Sequence, residues 1–148
     1  MSYISAHFHC VFSTKRREPL LTPMIRSHLW PYMGGIARAV GMEAIEVGGV
    51  EDHVHILLSI PATMPLSRAM QLIKGGSSRW LNESHLLELR FAWQKEYAAF
   101  SVSTSALNSV KRYIQNQEEH HRRQSFKGEY TYLLDKAGVE YNERYLWD

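Results

Sequence analysis

The sequence predicts an α+β fold of the ferredoxin-like kind: a four-stranded antiparallel sheet in β-α-β-β-α-β order, with an added C-terminal helix and a short further helix. Three observations predict it. Apolar and polar residues alternate through residues 52–60, as in a strand with two different faces. Ile25, Leu29, Met33, Ile36 and Val40 recur at helical spacing. The strand-like and helix-like segments then follow one another in the split βαβ order.

Residues 3–13 are rich in aromatic and β-branched types and partly alternate, so they form the first strand. Thr22-Pro23 opens the first helix, where the fixed φ of proline suits the first turn. Gly41 stands where its C-terminal cap belongs. Residues 43–48 and 52–60 are the next two strands, and Gly49-Val50-Glu51 between them suits a tight hairpin. In the second of these, Val54, Ile56, Leu58 and Ile60 face one way, and His53, His55, Leu57 and Ser59 the other. Pro61 ends it. A second helix over 66–82 carries Leu66, Met70, Ile73 and Trp80, and its Gly75-Gly76 pair implies a bend or a close approach. Residues 97–103 alternate again as a fourth strand. Thr104 or Ser105 caps a third helix over about 105–122. A shorter fourth helix runs over 127–137 and ends near Gly138. The tail, 139–148, is aromatic without a clear period.

The 148 residues suit a single domain, 1–148, able to bury a core without staples. Apolar residues make up 45% and charged residues 22%, which argues against disorder. No apolar run reaches the roughly 18 residues that cross a membrane, and residues 1–12 lack the pattern of a signal peptide. Cys10 is the only cysteine, so no intrachain disulfide or cysteine-rich zinc site forms, in keeping with a cytoplasmic protein. The net charge of +2 neither demands nor forbids a nucleic-acid partner, so local clusters carry more weight: Lys15-Arg16-Arg17, Lys111-Arg112 and Arg122-Arg123.

Two features carry chemistry. His53 and His55 lie two apart in a strand, on one face, and form half a site for a divalent metal. The same pair also fits a sheet face with no ligand. Tyr113 and Gln117 lie at i and i+4 on the third helix and share a face, one offering a phenol and the other a carbonyl oxygen. That pair also fits a core-edge tyrosine with its hydroxyl in water.

Together these features resemble the HUH-type single-tyrosine transposases of bacterial insertion sequences and their relatives, the REP-associated tyrosine transposases. The resemblance covers nearly the whole chain. It takes in Ser13-Thr14-Lys15-Arg16-Arg17, Asp52-His53-Val54-His55-Ile56-Leu57, Lys74-Gly75 followed by Ser77-Ser78, and Trp93-Gln94. It continues through Tyr113-Ile114, Asn116-Gln117, and the closing Glu140-Tyr141, Glu143-Arg144-Tyr145-Leu146-Trp147.

The resemblance implies metal ligands His53, His55 and Gln117, with magnesium or manganese as the ion, although imidazoles suit zinc, nickel or manganese better than magnesium. It implies Tyr113 as nucleophile in the cleavage and rejoining of single-stranded DNA, through a 5′-phosphotyrosine link and a free 3′-hydroxyl. The DNA is expected to carry hairpins at element ends. A homodimer is also implied, in which the tyrosine helix of one subunit can complete the site of the other. The segment 97–103 and the tail 141–147 are candidate interface material. Candidate phosphate contacts are Lys15, Arg16 and Arg17 after the first strand, and Lys74 and Arg79 on the second helix. No GxxxxGK[ST] loop is present, and rejoining through a covalent ester needs no ATP. The alternatives are a non-catalytic or domesticated hairpin-binding protein on the same fold, a metal-dependent small-molecule hydrolase, and a longer-chain replication initiator of the same chemistry.

Overall fold

The computed structural model describes residues 2–147, so the outermost residues of the expected domain, Met1 and Asp148, lie outside the described residues. Strand β1 (His7–Ser13) lies inside the sheet, between β3 (His53–Ser59) and β4 (Ala98–Ser101), and β2 (Glu43–Gly49) pairs with the other side of β3. All pairings are antiparallel and the order is β2-β3-β1-β4. This is the ferredoxin-like sheet that the element order predicts.

The alternation in β1 and β3 divides the molecule into two layers. Cys10, Phe12, Val54, Ile56 and Leu58 point to one face and bury against helices α1 (Pro23–Ala39) and α2 (Leu66–Ser84). Helix α1 begins as its sequence requires: the Thr22 side chain accepts from Ile25 N and Pro23 occupies the first turn. Gly41 follows its end at φ +84°, a conformation that a side chain resists. Helix α2 runs straight through Gly75-Gly76, and the pair marks a close approach: a Cβ at Gly76 would come within 2.9 Å of Ile36 Cδ1 on α1.

The opposite face carries His9, Val11, His53, His55 and Leu57. It is covered by α3 (Leu107–Gln115), α4 (Gln117–His120) and α5 (Phe126–Lys136), with α6 (Glu143–Leu146) closing the edge. A second, smaller core forms there from Val11, Ala98, Phe126, Tyr130, Leu134 and Leu146. The helix expected over 105–122 is two helices, α3 and α4, meeting at Asn116 with φ −96° and ψ 18°. The first strand starts at His7 rather than at residue 3, since Tyr3 and Ile4 stand 90% and 57% exposed with no apolar layer to join. Among the described residues no helix is long and apolar enough to cross a membrane.

Candidate active site

His53 and His55 are fully buried, with ring centroids 5.1 Å apart. Each ring is held from behind. Asp52 Oδ1 lies 2.8 Å from His53 Nδ1, and His9 Nε2 lies 2.7 Å from His55 Nδ1. Both Nε2 atoms are thereby aimed at one point. A carboxylate on the far nitrogen, as at His53, is a usual means of orienting metal-binding histidines, and at His55 an imidazole takes that place.

Helix α3 brings the phenol, and the start of α4 the amide, to the same point. It can do so because β2 offers it a bare backbone: a Cβ at Gly48 would lie 2.6 Å from the Ile114 carbonyl oxygen. Gly48 pairs with His55 in the sheet, so the helix lands beside the histidine strand. Gln117 is buried, and its Oε1 lies 3.0 Å from His53 Nε2. The Tyr113 ring stands edge-on to His55, with centroids 5.7 Å apart. Thus His53, His55, Gln117 and Tyr113 meet within one chain. Beside Tyr113 opens a cleft of about 520 Å³ lined by His9, Phe100, His120, Tyr132 and Leu133 among others.

Sequence reasoning missed Glu129 on α5. It is fully buried. Its Oε1 lies 2.9 Å from His121 Nε2, 3.1 Å from His55 Nε2 and 3.3 Å from His53 Nε2. Its Oε2 accepts from Gln117 Nε2 at 3.1 Å and from the Tyr113 hydroxyl, and lies 3.4 Å from His120 Nε2. A signal was present: Glu129 sits three residues after Phe126 and one before Tyr130, on the stripe that α5 buries. A carboxylate there needs partners. His120 and His121, at the end of α4, were not singled out in the sequence either.

The electrostatics follow from these neighbours. Burial alone would lower the His53 imidazole, but Asp52 and Glu129 outweigh it and raise it to about 9. His55 has an imidazole rather than a carboxylate behind it, and burial lowers it to about 4. Burial, then the neighbouring His55, lowers His9 to about 3. Burial opposes a charge on Glu129, yet hydrogen bonds from His121, His53 and His55 hold its carboxyl far below the usual carboxylate range. Burial first, then the Glu129 charge, raises the Tyr113 phenol above its ordinary value.

The donor set fits a cation. With Nδ1–H donated to Asp52, a neutral His53 presents an Nε2 lone pair to two oxygens, Gln117 Oε1 and Glu129 Oε1. That arrangement is repulsive unless a proton or a metal ion lies between. Donor atoms of His53, His55, His121 and Glu129 all fall within 4.8 Å of one another, so these residues could hold an ion.

The basic residues singled out as phosphate contacts lie elsewhere. Lys15–Arg17 form a tight 3-10 turn after β1, with Arg16 and Arg17 at φ 58° and 55°. Lys74 is half-buried across the sheet from the imidazoles. It donates to the carbonyls of Lys95 at 2.9 Å and Glu96 at 3.0 Å and stands over the Phe12 ring, and burial lowers its ammonium to about 8. Arg79 is exposed on the same helix. Neither Lys74 nor Arg79 reaches the imidazole face.

Residues 2–117 match the model of a protein family described as "Transposase IS200 like". The chain belongs to the IS200-like transposase family. It is 26% identical over 117 residues to the ISDra2 transposase TnpA of Deinococcus radiodurans, covering 76% of this chain and 84% of that one. It is 28% identical over 125 residues to the transposase for insertion sequence element IS200 of Salmonella typhimurium, covering 82% and 80%. Its fold is similar to a Deinococcus radiodurans R1 crystal structure described as a transposase, with TM-score 0.65 at 24% identity over 79% of this chain and 95% of that one. It is also similar to a REP-associated tyrosine transposase bound to a REP hairpin, with TM-score 0.59 at 18% identity over 82% and 72%. The match to the family's model ends at Gln117, so His121 and Glu129 lie beyond that match.

Proposed function

We propose that this IS200-like transposase cuts and rejoins single-stranded DNA at insertion-sequence ends through a covalent bond to Tyr113. One observation carries the reading: two buried imidazoles, each oriented from behind, converge with the Gln117 carbonyl and the Tyr113 hydroxyl beside an open cleft.

In this reading His53, His55 and Gln117 hold a divalent cation, magnesium or manganese by family resemblance. A bound cation would offset the charge that builds on the non-bridging oxygens and hold the phosphate in place. The chain supplies the remaining parts. Asp52 and His9 fix the ring orientations. Tyr113 forms the Oη–P bond while the bond from phosphorus to the 3′ oxygen breaks, and the phenol proton is released. The products are a 5′-phosphotyrosine and a free 3′-hydroxyl. A different 3′-hydroxyl reverses the step, so rejoining needs no external energy source. The substrate is single-stranded DNA with hairpin ends, in line with the hairpin bound by the REP-associated relative. Lys15, Arg16 and Arg17 contact backbone phosphates, while Lys74 has its ammonium turned to carbonyls and Arg79 makes a peripheral contact. The protein acts in the cytoplasm as a homodimer, which a solution mass near twice 17.2 kDa would bear out.

The experiment is a nicking assay on hairpin-bearing single-stranded DNA with manganese, followed on a denaturing gel. A DNA adduct lost in Tyr113→Phe supports the reading, and an adduct that survives the substitution overturns it. A second reading, a hairpin binder that does not cleave, is favoured by one observation: the Tyr113 hydroxyl is donated to a buried carboxylate that holds it neutral. Hairpin binding on a native gel, with no nicking on the denaturing one, selects that reading.

A further inference from the structure

We infer that the metal centre of this protein extends into its C-terminal segment, with His121 and Glu129 as ligands beside His53 and His55, and that it selects a first-row transition ion over magnesium. The inference rests on the metal reading of His53 and His55 given above.

The geometry supports it in three ways. First, Glu129 Oε1 sits at the focus of three imidazoles, 2.9, 3.1 and 3.3 Å from the Nε2 atoms of His121, His55 and His53. The four residues each bring one ligand atom within 4.8 Å of the others, so one ion is within reach of all of them. Second, the charges balance. Glu129 is fully buried and Asp52 stands behind His53, so the pocket carries two carboxylates, which one divalent cation offsets. A buried charge is ordinarily paired or bound to a metal. Third, the donor chemistry discriminates between ions. Three imidazole nitrogens with the Glu129 carboxylate and Gln117 amide oxygens suit zinc, cobalt or manganese, whereas magnesium prefers six oxygens and keeps several waters.

Glu129 also ties the ligand set to the nucleophile. Its second oxygen accepts from the Tyr113 hydroxyl and from Gln117 Nε2. An ion on Oε1 therefore stiffens the group that positions the phenol. It also fastens α5 to the sheet, because His53 and His55 lie on β3 and Glu129 on α5. The C-terminal segment beyond the family-matched span becomes part of the centre rather than a cover for it.

The test uses the full chain, stripped of metal and titrated with cobalt(II) while visible absorption is followed, with magnesium as competitor. Unaltered protein, Glu129→Gln, His121→Ala and His53→Ala are compared, with far-UV circular dichroism checking each fold. The expected result is one cobalt per chain, not displaced by millimolar magnesium, and losses beyond about 100-fold in both Glu129→Gln and His121→Ala, more than an outer partner costs. Wild-type cobalt affinity in those two variants, with binding lost in His53→Ala, overturns the inference and leaves the simpler metal site standing. Wild-type affinity in His53→Ala as well removes the metal reading itself. Should Glu129→Gln fail to fold, trypsin cleavage at Lys127 and Lys136 in the unaltered chain decides. Protection by cobalt but not by magnesium upholds the inference, and cleavage unchanged by cobalt overturns it.

Discussion

Gly48→Ala tests how the nucleophile is placed, from a position that meets His55 only through the sheet backbone and puts no side chain into the site. The new methyl would lie 2.6 Å from the Ile114 carbonyl oxygen and 2.9 Å from Ile114 Cγ2. The oxygen is main chain and has no rotamer to escape into. A relaxed carbon–oxygen contact needs about 3.3–3.6 Å, so α3 must withdraw from β2 by about 0.7–1 Å. Ile114 lies between Tyr113 and Gln117, and the displacement carries both. A misplacement of about 1 Å in a catalytic constellation costs about 100-fold in rate, and overpacking costs about 1–3 kcal/mol of stability. Single-turnover cleavage of hairpin-bearing single-stranded DNA reads the first effect, thermal unfolding the second, and fluorescence anisotropy checks that DNA affinity holds. Cleavage within about twofold of the unaltered protein, with unchanged stability, would refute the idea that this close approach positions the helix.

Four further outcomes follow from the same geometry. Tyr113→Phe should abolish the covalent adduct while DNA affinity, measured by anisotropy, stays within about twofold, because only the attacking oxygen is removed. Asp52→Ala should free the His53 ring and weaken metal binding about 10–100-fold by calorimetry, with unchanged circular dichroism; undiminished affinity contradicts the orienting role. Burial lowers the Lys74 ammonium to about 8 from 10.5. Between those values the unfolded chain holds the extra proton, so stability rises with pH there, and Lys74→Met should flatten that rise in denaturant titrations. Arg16→Ala should lower the slope of log affinity against log salt by about one if Arg16 meets a phosphate, and an unchanged slope removes it from the contact surface.

The sheet was legible because its signals are local. Alternation in 52–60 assigns faces residue by residue, and Thr22, Pro23 and Gly41 mark the ends of α1 through their own chemistry. His53 and His55 were legible for the same reason, since spacing in a strand fixes a shared face. What escaped depends on register and on packing between distant segments. His9 backs His55, yet it pairs with Leu57 and reaches His55 only diagonally across β1 and β3. Gly48 reads as part of a hairpin until α3 is seen lying on it. Asn116 carries no breaker signal, so α3 and α4 read as one helix. Glu129 is 12 residues beyond Gln117 and joins it only because α5 folds back over the sheet. A lone glutamate in a helix reads as solvated until its burial is known.

Asp52 serves two structures at once. Its carboxylate steadies His53, while its carbonyl accepts from Thr14 N at 2.9 Å and from Thr14 Oγ1 at 3.3 Å. Thr14 leads into the turn where Arg16 and Arg17 are held in left-handed conformations that cost about 1–2 kcal/mol each. Through Thr14 and Asp52, the turn that presents those guanidinium groups and the imidazole share one anchoring residue. A displacement of Asp52 therefore loosens the basic turn and the metal-facing ring together.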